Sequence, residues 1–198
     1  MNQLANTAGS YVSNFEAVKK TLNGNALPWL RALRRRGIDC FKSVGFPDPK
    51  EESWKYTRLH TLEDTRFRLA TDAEGAAVVG KIPSVLGSDI SPLKIVFVNG
   101  LMRPELSSLE GLPKGVLVQS LCEVIENDPG WVANHLCSIA EIEGQPLTAL
   151  NTAMMNSGAV VRVKPGVVVE TPIQMIFIAG LTDEPIATYP RNLIVMGE

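Results

Sequence analysis

Between Ala159 and Phe177 the apolar residues keep one parity across two corners. Val161 and Val163 alternate with Arg162 and Lys164, and Pro165-Gly166 turns the chain. Val167 and Val169 resume the same parity, Thr171-Pro172 makes a second corner, and Ile173, Met175 and Phe177 continue. Candidate inward positions therefore recur six residues apart, at 161, 167 and 173 and at 163, 169 and 175. Alternation of this kind buries one face of a short strand. Proline sits at the corners because it cannot donate to a strand ladder. Two folds satisfy the pattern: a coil of stacked strands, as in a β-helix wall, and an antiparallel meander joined by tight turns. Periodicity leaves both open. A coil must bury each rung against the next. A chain that stops at Glu198 inside such a pattern is expected to be the beginning of something longer, with an apolar strand end at Asn192–Met196 free to self-associate.

The rest of the chain is ordinary for a packed domain. Of its 198 residues 45% are apolar, which argues against general disorder. A formal charge of -2 carries no electrostatic signal for nucleic acid. Three cysteines, Cys40, Cys122 and Cys137, are odd in number and far apart, which fits reduced thiols and a cytoplasmic setting. The N-terminus lacks an apolar run suited to a signal peptide, and no run approaches bilayer-spanning length.

Helical spacing of Val12, Phe15, Val18 and Leu22 predicts a helix over 10–23, stopped by Asn23-Gly24. Pro28 opens a second, with Leu30, Leu33 and Ile38 as its apolar stripe, Phe41 less in phase, and Arg31, Arg34, Arg35 and Arg36 on the other side. Residues 65–70 alternate weakly as a strand, and 71–93 read as a loop-rich junction. Ile95–Val98 and Leu101–Met102 flank Asn99-Gly100, the strongest local hairpin signal. Val116–Gln119 is a strand. Ser120 with Glu123 forms a capping box for a helix through Glu126, and Pro129 and Pro146 open two more helices. Three segments follow: a helical region and linker at 1–93, a mixed α/β segment at 94–145, and the start of a β-rich core at 146–198.

Several blocks, in order, then carry a resemblance. They are Glu52-Ser53-Trp54-Lys55-Tyr56-Thr57; Ile95–Gly100; Ala149–Ala153 continuing through Gly158, Lys164–Val167, Glu170 and Pro172-Ile173; and Pro190–Val195 followed by Gly197-Glu198. Together they resemble the SufB/SufD family of iron–sulfur cluster assembly proteins, in their SufD-like form. Lys164-Pro165 inverts the commoner order of that pair. The resemblance covers most of 45–198. It implies an α+β fold: an N-terminal helical region with a short hairpin, followed by the first coils of a right-handed parallel β-helix. It implies a scaffold working with a SufB-like paralogue and a SufC-like ABC-type ATPase, the full complex handling the iron–sulfur cluster. Family sequences run well beyond residue 198, so the ATPase-docking region and the cluster-related positions have no counterpart here, and residues 1–198 alone are expected to bind the ATPase poorly. The motif positions carried over are Glu52, Trp54, Lys55, Tyr56, Thr57, Asn151, Gly158, Gly166, Pro172, Arg191 and Asn192, read as structural or partner-contact residues. None is read as catalytic or as a metal ligand.

Residues that invite a chemical role each have a plainer reading. The cysteines lie in no CxxC and are flanked by apolar residues, as buried thiols are. His60 and His135 lack an identifiable partner for metal or acid–base work. Arg34-Arg35-Arg36 could bind phosphate or an acidic partner, but a solvated helix face near Gly37 accounts for it. Trp54 and Tyr56 suit either a partner contact or a pair of rings pinning the helical region to the β-rich part. No phosphate-binding glycine loop is present. Besides a cofactor-free scaffold subunit with no part in nucleic-acid or membrane binding, two other classes stay open: a β-helix enzyme of the hexapeptide acyltransferase type, and a generic interaction module.

Overall fold

The computed structural model describes residues 4–79, 91–180 and 182–197. Its helices are α1 (Leu4–Val18), α2 (Pro28–Val44), α3 (His60–Asp64), α4 (Asp72–Val79), α5 (Leu121–Asn127), α6 (Pro129–His135) and α7 (Pro146–Met154). Its strands are β1 (Arg68–Leu69), β2 (Lys94–Val98), β3 (Leu101–Met102), β4 (Val116–Ser120), β5 (Ala159–Val163), β6 (Gln174–Ile178), β7 (Ile186–Ala187) and β8 (Leu193–Met196). The class is α+β, as the resemblance implies. The chain forms two compact units, one of residues up to Arg68 with Asp128–Met155, the other of Leu69–Asn127 with Asn156 onward. These boundaries differ from the linear segments 1–93, 94–145 and 146–198, because the chain leaves the helical unit and comes back to finish it.

The helical unit is built on α2 against α7. Leu30, Ile38 and Phe41 are buried on α2, so Phe41 is in phase, while Leu33 is only half-buried. Opposite them α7 buries Ala149, Leu150, Ala153 and Met154. The helices approach closely at Gly37, where a Cβ would lie 2.7 Å from the Ala149 carbonyl oxygen and 2.9 Å from the Ala153 nitrogen. Arg34 corrects the reading of a solvated arginine face. It is 2% exposed and donates from Nη2 to the Met155 carbonyl at 2.9 Å, at the end of α7, where orphan carbonyls attract a cation. Arg35 and Arg36 do face solvent, paired with Asp39 and Glu143 respectively. On α1 the buried stripe is Ala8, Tyr11 and Phe15 rather than one led by Val12; the helix ends at Val18, short of the expected 23, and Leu22 is buried in the turn beyond it. Tyr11 meets Phe41 and Phe46 edge-on at 6.0 and 5.3 Å between centroids and donates its hydroxyl to the Leu62 carbonyl at 2.7 Å.

In the other unit, a three-stranded sheet runs β3-β2-β6 and a second runs β4-β5-β8. Asn99-Gly100 makes the expected hairpin, both residues at positive φ (50° and 81°), pairing Val98 with Leu101. The β2–β6 and β5–β8 pairings are parallel, and β4–β5 is antiparallel. A simple antiparallel meander is therefore overturned for this region. Ile95 and Phe97 of β2 share one apolar cluster with Val161 and Val163 of β5, and Val167, Val169, Ile173 and Met175 pack on it. Of the six positions that sequence parity assigned inward, Val161 and Val163 are buried in this cluster and the other four are half-buried against it. Around them, Ser120 and Glu123 exchange the capping-box bonds at 3.0 and 3.1 Å. The junction expected at 71–93 is partly helical. Thr71 and Glu74 form a second capping box that opens α4, while residues 80–90 lie outside the described residues. Across this unit Arg103, 7% exposed, grips Asp72 through its carboxylate and its backbone carbonyl, both at 2.9 Å.

Burial pushes the Tyr11 phenol up to about 12. The fold favours the neutral form, so this stabilisation is complete below the unfolded value of about 10 and is lost as pH rises through the folded one. Urea unfolding should therefore show the wild-type chain losing roughly 2–3 kcal/mol more than Tyr11→Phe between about pH 10 and 12. Parallel pH profiles for the two proteins would remove Tyr11 from the account.

Candidate functional site

The residues that carry the resemblance fall into two groups, one in each unit. In the helical unit Glu52, Ser53 and Trp54 form a single 3-10 turn. The Thr57 amide closes the next turn on the Trp54 carbonyl at 2.9 Å. Trp54 is half-buried, whereas Tyr56 is 87% exposed, with the Lys55 ammonium 5.5 Å from its ring centroid. Tyr56 therefore pins nothing, which corrects one half of the pinning expectation. Glu52, Lys55 and Thr57 are exposed too, so the block presents an aromatic ring flanked by charges to solvent. Asn151 lies on α7, where its carbonyl accepts the Met155 amide at 2.7 Å and ends the helix.

The second group is brought together at one joint. After β5 the chain passes the corner Pro165-Gly166, runs through Pro172, whose carbonyl accepts the Ser91 hydroxyl at 2.5 Å, and enters β6. It then returns and lays β8 on β5, pairing Val160 with Leu193 and Val163 with Met196 in parallel. A bridge from Ser157 to Pro190 starts this ladder. The Arg191 amide donates to the Ser157 carbonyl at 2.8 Å. The Asn192 side chain, Oδ1, accepts the Ala159 amide at 2.9 Å across a separation of 33 residues. Only glycine fits at 158: its φ is 151°, and a Cβ there would lie 1.8 Å from the Arg191 carbonyl oxygen. Gly197 closes the same joint from the other end, its amide donating to the Val163 carbonyl at 2.8 Å, and a Cβ there would lie 2.5 Å from the Pro165 ring. Gly158, Arg191 and Asn192, far apart in sequence, are thus parts of one contact that fixes the register of β8 on β5.

This geometry aligns strands. Among the described residues, no group of three or more His, Cys, Asp or Glu side chains could hold a metal ion. Cys40, Cys122 and Cys137 form no disulfide and are half-buried rather than fully buried. The first two donate their thiols to the Ile142 and Asn156 carbonyls at 3.2 and 2.9 Å. His60 is exposed, 3.6 Å from the Glu63 carboxylate. His135 stacks on Trp131 and donates from Nδ1 to its carbonyl at 2.8 Å. No helix among the described residues is long and apolar enough to cross a membrane.

Sequence reading missed the Arg103–Asp72 grip, the burial of Arg34 and the role of Asn99. The last is 2% exposed and accepts the Gly180 amide on Oδ1 at 2.7 Å, tying the hairpin turn to the exit of β6. One local signal was available for α4, the Thr71-x-x-Glu74 spacing; nothing local marks the other contacts.

The described residues thus define an α+β protein of helices and small mixed sheets whose motif positions lie at the end of α7, in an exposed aromatic loop and at the β5–β8 joint with its corners. The family model described as the SufBD protein N-terminal region matches residues 5–175, and the chain belongs to that family. It is 27% identical over 163 residues to an iron–sulfur cluster assembly SufBD family protein of Synechocystis, covering 82% of this chain and 35% of the relative. It is 24% identical over 175 residues to the iron–sulfur cluster assembly protein SufD of Bacillus subtilis, covering 84% of this chain and 38% of that protein. The chain therefore spans little more than a third of the length of these relatives.

The two groups of motif residues should respond differently to truncation. Asn192→Ala leaves the buried Ala159 amide without its acceptor and should cost about 1–3 kcal/mol in urea unfolding. Tyr56→Ala should stay within about 0.5 kcal/mol of wild type. Equal costs for the two would erase the distinction between joint and loop.

Proposed function

We propose that this chain is part of a non-catalytic scaffold subunit for iron–sulfur cluster assembly, working with a SufB-like paralogue and a SufC-like ABC-type ATPase in the cytoplasm. The observation that carries this reading is the family match across residues 5–175. The cluster is cargo of the assembled complex, and no residue here is given a role in binding it. In this reading β5, β6 and β8 are the first coil of a right-handed parallel β-helix. The return of the chain onto itself after 33 residues, in parallel and in register, supports that architecture. The exposed Lys55-Tyr56 loop is then a partner contact, since aromatic rings are enriched at interfaces. The acyltransferase alternative calls for a histidine between coils. Both histidines of the chain lie instead in the helical unit.

A chimera tests the assignment. Residues 5–175 should replace the matching N-terminal region of the Bacillus subtilis SufD protein and restore cluster delivery to a reporter enzyme in cells lacking native SufD. A chimera that is folded and abundant yet inactive would sink the proposal.

The last strands also bear on partners. Ile194 pairs beside Val161 and Met196 beside Val163, on the core-facing side, yet they are 59% and 70% exposed. Phe177, stacked on Phe97 at 4.7 Å, is 49% exposed. Edge strands of this kind recruit other strands, and we propose that this end self-associates when nothing else covers it. Analytical ultracentrifugation should show concentration-dependent oligomers that the double variant I194K/M196K abolishes. A wild-type monomer at high concentration would rule this out.

A further inference from the structure

The helical unit carries a cavity of about 330 Å³ that none of the motif residues touches. It lies between the end of α1 and the first turns of α2. Phe15 forms part of its wall, and Lys19, Lys20, Arg31, Arg34 and Arg35 supply most of the rest. The surface is almost wholly carbon, so the cavity is lined by carbon atoms of Phe15 and of the stems of its basic residues, and the heads of the exposed Lys20, Arg31 and Arg35 are open to solvent.

The charge balance around this cavity is one-sided. Glu16 pairs with Lys19 and with Arg35, and Asp39 pairs with Arg35. Lys20 and Arg31 have no carboxylate partner among the described residues, although both are exposed. Arg31 is steadied by donating Nη1 to the Asn25 and Ala26 carbonyls at 2.8 and 3.3 Å, which orders the side chain and leaves its charge uncompensated. Arg34 adds a buried cation within the wall. The chain as a whole is slightly acidic, so this positive patch is local.

From this pairing of a carbon-walled hollow with a cationic rim, we infer that the cavity docks an acidic peptide segment of a partner protein, one that places a single large apolar side chain among carboxylates. The wall takes the apolar anchor, and the rim takes the charges next to it. A bare anion would leave the wall unfilled, and a neutral apolar peptide would leave Lys20 and Arg31 unpaired. The volume is at the small end for a ligand pocket and suits one anchoring side chain better than an extended cofactor. This inference is independent of the iron–sulfur reading and adds a contact surface that the motif residues do not account for.

Fluorescence anisotropy with a short labelled polyglutamate peptide carrying one central leucine tests it on the whole chain. Binding should be saturable and should weaken as salt rises. Lys20→Glu and Arg31→Glu should each weaken it about fivefold, while Lys42→Glu, farther along α2, should leave it unchanged. Replacing the leucine by alanine should weaken binding about tenfold. Circular dichroism and thermal unfolding of each variant confirm that the helical unit is intact. Equal losses from Lys42→Glu would reduce the effect to general surface charge. Indifference to the leucine would remove the cavity from it. Tighter binding of decanoate, in competition, would assign the hollow to a small amphiphile and overturn the peptide. A defective chimera with normal peptide binding would fault the cluster-assembly reading alone.

Discussion

Parallel pairing of β8 on β5 is the constraint on which the β-rich unit depends. It cannot form locally, because parallel neighbours need a long connection. The chain therefore travels through two corners, adds β6 to β2 on the way, and comes back in register. Gly158 and Asn192 make that return specific. The glycine lets the Arg191 backbone come close, and the amide side chain satisfies a buried donor that the ladder leaves over. A slip of one residue would turn Ile194 and Met196 away from the Val161 side. Side chains in the joint thus act on register, and the sheets take their core from it.

The helical unit solves a different problem with similar economy. Gly37 allows α2 and α7 to approach, and Arg34 uses the space beside them to reach the last carbonyls of α7. Burying a guanidinium is costly; here its Nη2 meets the Met155 carbonyl and attaches the polar end of one helix to another. The hydrophobic stripe on α2 does the bulk packing around it. The same arginine-rich helix therefore has two distinct faces of positive charge, one buried and structural, the other open beside the carbon-walled hollow.

Much of this was legible in the residues. The hairpin at Asn99-Gly100 and the capping box at Ser120 and Glu123 are local devices, and local spacing reveals them. The inward parity of 161–175 was legible because alternation survives a corner. Arg34 was misread because charge predicts exposure unless a carbonyl far along the chain, at Met155, accepts the proton donor. Tyr56 was half misread for the opposite reason: an aromatic suggests burial, and exposure at 87% is set by the loop around it. The joint at Gly158 and Asn192 could be flagged only as motif positions, since what each residue touches is decided by topology. Residue pairs distant in sequence carry no mutual signal in a single chain.

The helical unit closes only when Asp128–Met155 rejoins residues up to Arg68, and the Arg34–Met155 bond spans 121 positions. During synthesis, Leu30, Ile38 and Phe41 emerge from the ribosome long before the helix that covers them. For that interval the nascent polypeptide displays a greasy stripe next to a cationic patch, a combination that invites chaperone capture or premature aggregation. Slow translation through the interposed stretch would lengthen the exposure, so codon usage across residues 69–127 bears directly on the yield of folded material.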